Sequence, residues 1–234
     1  AARARALAEP RHVLTACRRS TIDRLIFTST LTTIGFPPQP GQLANEDCPF
    51  VSLYPRNPYL AAKAAMEHAV LEAARDGLPT VVVNPTACFG PYDSKPTSGT
   101  QILMIARQMP AYIDGSINAI DVRDVAVAMI RAAERGRIGE RYIIGNWNTT
   151  QKELNGLIAS VAGVTPPLLP VPFPLARVGA KVGDWVFRTL LRRPAPVPGF
   201  FVEVLRHMQH YDCAKATREL DYPRRPVEQA IRER

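Results

Sequence analysis

Tyr59 and Lys63 stand four residues apart in the stretch Asn57-Pro58-Tyr59-Leu60-Ala61-Ala62-Lys63-Ala64, inside an alanine-rich run. At 3.6 residues per turn, side chains at i and i+4 project from the same face of a helix. A free phenol has a pKa of about 10, and a cation held beside it favours the phenolate. Lys63 can therefore bring Tyr59 toward working pH as an acid and base. The same spacing also suits an ordinary solvated contact, so the surroundings decide between the two readings.

Those surroundings read as alternating helix and strand. Residues 3–19 have a helical pattern, and the β-rich run Arg24-Leu25-Ile26-Phe27-Thr28-Ser29-Thr30 follows as a buried strand. A loop containing Pro and Gly then leads to Pro58, which suits the first turn of a helix over 59–75 that stops at Gly77. Thr80-Val81-Val82-Val83 is a second short buried strand, closed by Asn84-Pro85. Helix, strand, helix, strand in this order predicts a parallel sheet with helical crossovers. Thr30, the Tyr59/Lys63 pair and Asn84-Pro85 then share the carboxyl edge of that sheet, where α/β proteins place ligands.

Further on, the pattern predicts helices near 98–108 and 121–134 and strands near 117–120 and 141–145. Thr150 and Glu153 form a capping box that opens a helix to about Val161. The proline-rich region 165–200 encloses an amphipathic run from Leu175 to Leu191, with apolar residues at 175, 178, 182, 185, 186 and 190. That run suits a core-facing or substrate-covering helix, with a membrane surface as the other option. Helices near 212–220 and 226–234 close the chain. No internal repeat is present.

Composition narrows the function classes. With 234 residues and 46% apolar content the chain can bury a sizeable core, and nothing marks it as disordered. The net charge of +8 permits an acidic partner, but the basic residues are scattered and not interleaved with stacking aromatics, which argues against a nucleic-acid binder. Cys17, Cys48, Cys88 and Cys213 lie far apart, so neither a disulfide framework nor a zinc site is indicated, and a reducing cytoplasm fits best. His207 and His210 form H-x-x-H without an evident third ligand, so no metal is expected. No run of about 20 apolar residues predicts an integral membrane segment.

The segments RLIFTSTLTTIG, YLAAK, VVVNPTACFGP, IDVRDVAVAMIRAAERGRIGERYIIG and KATRELDYPRRPVEQAI resemble the extended short-chain dehydrogenase/reductase superfamily. Within it they are similar to the NAD-dependent epimerase/dehydratase and dihydroflavonol reductase-like branch, and MPAYIDGSINAIDVRDVA with GRIGERYIIG resembles the hopanoid-associated sugar epimerase group. The resemblance covers nearly the whole chain. It implies a Rossmann-type α/β fold, with residues 1–95 as the later part of the dinucleotide-binding domain. Residues 96–234 would then hold the remaining sheet elements and a smaller, mostly helical substrate lobe.

The resemblance also assigns roles. It implies Tyr59 as the general acid/base and Lys63 as the residue that binds the nicotinamide ribose hydroxyls. Thr30 would orient the substrate oxygen from the position where the family has a serine. Asn84, Pro85 and Thr86 would pass the nicotinamide of NAD or NADP. Asp121 and Asp124 would be structural acids at a helix start, and Cys88 a packing residue. The implied reaction is hydride transfer at a carbon bearing oxygen, on a sugar nucleotide or a hydroxy or keto compound, by an enzyme that dimerises through the helix carrying the Tyr/Lys pair.

One part of the family pattern is missing. Its opening strand and G-x-x-G-x-x-G turn, which seat a pyrophosphate on a helix N-terminus, have no counterpart among these residues. The expectation is therefore a truncated chain, beginning at Ala1, whose first strands are absent and whose remaining sheet has an open edge. An alternative role follows from that gap: a catalytically inactive scaffold that serves as an interaction module.

Overall fold

The computed structural model describes residues 2–50, 58–94, 98–189, 202, 205 and 208–233, with the side chains of 2–10, 58, 59 and 188 excluded. The first helix, α1 (Ala2–Arg19), leads to β1 (Leu25–Thr28) and a short 3₁₀ turn (Leu31–Thr33). Next come α2 (Pro58–Arg75), β2 (Thr80–Pro85) and β3 (Ala87–Phe89). The chain continues through α3 (Gly99–Ala106), β4 (Ala111–Ile113), β5 (Ser116–Asp121), α4 (Val122–Arg135), β6 (Arg141–Ile144) and β7 (Trp147–Thr150). It ends with α5 (Gln151–Ala162), β8 (Leu169–Val171), α6 (Phe173–Thr189), α7 (Ala214–Leu220) and α8 (Val227–Arg232).

The main sheet has the order β1-β2-β6 and is wholly parallel. Its register pairs Phe27 with Val82 and Val83 with Tyr142. Alternation along β2 sends Val82 toward Leu14, Val70, Ala73 and Leu78, under α1 and α2. Val81 and Val83 go to the opposite face, where Val125, Ala128, Ala132, Ala216 and Leu220 of α4 and α7 cover them. Burial on both faces explains the uninterrupted Val81-Val82-Val83 run. The expected α/β architecture is therefore present, with helices on both sides of a parallel sheet. Among the described residues β1 pairs only with β2, so it is an edge strand.

A second core surrounds a second three-stranded sheet of order β3-β5-β7, in which β3 and β5 are parallel and β5 and β7 antiparallel. Phe89 and Ile117 of its strands fill it together with Ile105, Leu154, Ile158 and Ile231, brought by α3, α5 and α8. A two-stranded parallel ladder, β4-β8, stands apart. The capping box forms as the sequence predicts: Thr150 Oγ1 accepts from the Glu153 amide and Glu153 Oε2 from the Thr150 amide, each at 3.1 Å. α5 then ends on Gly163 in the left-handed region.

The amphipathic run forms a helix, α6, as far as residue 189, with Leu190 and Leu191 outside the described residues; of its two expected roles, the core-facing one is not met. Leu175, Val178, Val182 and Trp185 are all more than half exposed. Periodicity specifies that an apolar face exists and does not specify what covers it.

Candidate active site

At the carboxyl end of β1 the chain leaves the strand and turns at once. Thr30 is extended (φ −156°, ψ 154°) and caps the 3₁₀ turn, its hydroxyl accepting from the Thr32 amide at 3.4 Å. Thr33 Oγ1 lies 2.8 Å from the Thr30 carbonyl and 2.6 Å from Glu67 Oε2, and its one hydrogen serves either acceptor. These bonds fix the Thr30 backbone at the strand end while leaving its side chain half-buried.

α2 packs against this turn and against β2. Tyr59, Lys63 and Glu67 follow one another at i, i+4 and i+8, so they share one helical face. The Tyr59 side chain lies outside the described residues, and Lys63 is half-buried. Glu67 is the anchor of that face: it is only 3% exposed. Its Oε2 accepts from Ser29 Oγ, from Thr33 Oγ1 at 2.6 Å and from Asn84 Nδ2 at 2.7 Å. Its Oε1 pairs with Arg141 Nη1 at 3.0 Å. Arg141 in turn donates to the carbonyls of Glu46 and Cys48. A buried carboxylate survives only when its acceptor capacity is filled, and here hydroxyls, an amide and a guanidinium fill it.

Asn84 at the end of β2 belongs to the same group. Besides Glu67, its Nδ2 reaches the Thr30 carbonyl at 3.2 Å and Thr33 Oγ1 at 2.9 Å. The carboxylate and the carbonyl can only accept, which fixes the amide orientation with nitrogen toward them. Asn84 Oδ1 is then the one buried side-chain acceptor without a partner among the described residues.

The structure thus brings Thr30 and Asn84 together and seats the Tyr/Lys helix against both elements. Thr86 turns away from that group: its Oγ1 donates to Asn118 Oδ1 at 2.8 Å. Pro85 closes β2 and is half-buried. Sequence reasoning missed Glu67 and Arg141. A glutamate four residues past Lys63, on the same face of an alanine-rich helix, was the available signal.

The acids near α4 are structural. Asp121 caps the helix through the Arg123 amide at 2.8 Å and holds the Arg123 guanidinium at 2.5–3.1 Å. Burial pushes the Asp121 carboxyl up, but the Arg123 hydrogen bonds outweigh it and hold it below the ordinary range. Asp124 accepts from the Arg225 amide at 2.7 Å and from its guanidinium, and burial leaves its carboxyl raised. Burial, with Asp121 nearby, pushes the Cys88 thiol up to about 12. Cys88 packs against the Val81/Val83 core, with its thiol donating to the Thr86 carbonyl at 3.4 Å, as expected of a packing residue. His210 bonds the Thr149 carbonyl at 2.9 Å, whereas His207 lies outside the described residues.

Comparison with known proteins extends this picture. The family model described as "NAD dependent epimerase/dehydratase family" matches residues 4–145. The chain is 34% identical over 229 residues to a putative dihydroflavonol 4-reductase from Synechocystis sp., covering 94% of this chain and 66% of that protein. It is 28% identical to the crystal structure of a nucleoside-diphosphate-sugar epimerase from Pseudomonas aeruginosa, with a TM-score of 0.83, covering 99% of this chain and 72% of that one. A UDP-glucose 4-epimerase from Thermus thermophilus in complex with NAD shares the fold, with a TM-score of 0.68 and 22% identity over 97% of this chain and 68% of that one. The chain spans about two thirds of the length of the curated relatives it matches. The parallel sheet, the Tyr/Lys helix fixed to its carboxyl edge and a family match over residues 4–145 lead to one conclusion: the chain belongs to the NAD dependent epimerase/dehydratase family.

Proposed function

We propose that this chain carries the catalytic side of an NAD(P)-dependent oxidoreductase or epimerase of the extended short-chain dehydrogenase type. The observation that carries the reading is the attachment of α2. The helix face bearing Tyr59 and Lys63 is tied through Glu67 to Ser29 and Thr33 beyond β1 and to Asn84 at the end of β2. Reacting groups held on rigid elements at one sheet edge lower the entropic part of a barrier.

In this reading Tyr59 gives or removes the proton of the substrate hydroxyl, and Lys63 lowers the cost of its phenolate. The Thr30 hydroxyl donates to the oxygen on which charge develops. The bound nicotinamide, as NAD or NADP, supplies the hydride chemistry. The residues present suit such a group. Lys63 offers donors to ribose hydroxyls, and the unpartnered Asn84 Oδ1 is an acceptor at the same edge, with Pro85 and Thr86 beside it. The substrate class is a small alcohol or carbonyl compound, either a sugar nucleotide or a hydroxy or keto compound, as the names of the reductase and epimerase relatives suggest. A homodimer through α2 and its neighbour, and a cytoplasmic location, complete the reading. So does a boundary near residue 95 between the cofactor part and the substrate part.

The test is a thermal melt of the purified chain with and without NADH and NADPH, followed by turnover of Tyr59→Phe. A rise in melting temperature with one cofactor, and loss of turnover in a variant that still binds it, is the expected result. A melt unmoved by either cofactor sinks the proposal. It would favour the second reading, an inactive scaffold that engages a partner through the edge of β1, which pairs only with β2 among the described residues.

A further inference from the structure

The described apolar residues most exposed to water are not scattered evenly. Six of them fall between residues 168 and 185: Leu168, Leu169, Leu175, Val178, Val182 and Trp185, at 71, 61, 63, 58, 54 and 62% exposure. The last four lie on α6 at spacings of three, four and three, which places them on a stripe about 80° wide at 100° per residue. Ala176, Ala180 and Gly183, half-buried, occupy the side facing the rest of the protein. On the other flank of the stripe the helical positions run Lys181, Arg188 and Arg177, and only then Asp184.

We propose that α6 is a membrane-surface helix, whose apolar stripe enters the headgroup boundary of an anionic bilayer with Lys181 at its rim. Each part of the arrangement suits that occupant. Leucine and valine bury in the acyl boundary, and tryptophan prefers the level of the headgroups. Lys181, exposed at the rim, adds electrostatic attraction to an anionic surface. A second copy of this chain suits the stripe less well, since it brings the same net charge of +8 against itself. Among the described residues no helix is long and apolar enough to cross a membrane. The proposal stands apart from the hydride chemistry and needs no turnover.

The test is flotation of the full chain with vesicles of phosphatidylglycerol and phosphatidylcholine, and with phosphatidylcholine alone. Binding is expected to the anionic vesicles, at least tenfold weaker to the neutral ones, and weakened by salt. Tryptophan emission should shift to the blue on binding, and Trp185→Phe, which retains Trp147, should remove the shift. Leu175→Ser with Val182→Ser should abolish flotation at an unchanged far-ultraviolet melt, and Lys181→Glu should remove the anionic preference. If the double variant fails to fold, Lys181→Glu and the salt titration decide alone. No flotation with anionic vesicles overturns the proposal, as does equal binding to both vesicle types or binding indifferent to every substitution. A concentration-dependent dimer that Leu175→Ser disrupts, without vesicle binding, assigns the stripe to a second copy and overturns it as well.

Discussion

Glu67 and Trp185 sit on two helices of almost equal length and reverse the usual distribution of polarity. On α2 a carboxylate is buried beneath the sheet edge and receives four hydrogen bonds from three other parts of the chain. On α6 a row of large apolar side chains faces outward. A buried charge costs several kcal/mol unless fully paired, and exposed apolar area forgoes about 25 cal/mol per Å². The first region spends stability on a fixed geometry for the Tyr/Lys helix. The second leaves apolar area exposed to keep an adhesive surface. Precision and adhesion are thus separated within one chain.

The sharpest way to break that comparison is Glu67→Ala. It leaves the half-buried Arg141 without its counter-charge and takes one acceptor each from Ser29, Thr33 and Asn84, so a loss of about 3–5 kcal/mol is expected in denaturant unfolding. A loss under about 1 kcal/mol would mean that the group is not what fixes α2. Glycine positions offer a second contrast. A Cβ at Gly145 would lie 2.4 Å from Asn118 Oδ1, 2.8 Å from Cys213 Sγ and 2.9 Å from Thr86 Cγ2, so Gly145→Ala should cost about 1–3 kcal/mol. At Gly179 of α6 nothing lies within 4 Å, and Gly179→Ala should instead raise stability by about 0.5–1 kcal/mol. Equal effects at both sites would erase the distinction between a close-packed edge and an open helix.

Acid sharpens it further. The folded-state pKa of Asp121 is lowered, so its contribution is fully present above the unfolded value of about 3.9 and is lost as pH falls through the folded one. Asp121→Asn should therefore narrow the gap from the parent chain as pH drops below about 4, read in urea unfolding along a pH series. A gap that stays constant would show that the cap matters for its geometry and not its charge. The smallest effect belongs to Leu175→Gln, which should leave global stability within about 0.5 kcal/mol. A larger loss would show that the α6 stripe packs against the protein after all.

Local signals in the sequence were the legible ones. The capping box at Thr150 and Glu153 is written in four adjacent residues, and the Val81-Val82-Val83 run declares a strand buried on both faces. The order of β1, α2 and β2 follows from such local patterns, as does the placement of Thr30 and Asn84 at one edge. What escaped depends on partners distant in sequence. β3, β4 and β8 are three residues each, and β8 carries Pro170 in a ladder with a single partner strand. Runs so short look like loop until their neighbours are known. The antiparallel β7 reads as polar loop for the same reason. Glu67 resembles any solvated helix glutamate, because the guanidinium that justifies its burial lies 74 positions away.

The edge position of β1 has a consequence for isotope exchange. The Leu25 amide donates to Pro79 and the Ser29 amide to Val83, each at 2.8 Å, so the odd-numbered amides of this strand point to β2. Alternation turns the Ile26 and Thr28 amides to the other side, where no described strand receives them. Deuterium should therefore enter β1 at every second residue within minutes while Val82 and Val83 in the adjoining strand hold their protons until the whole sheet opens.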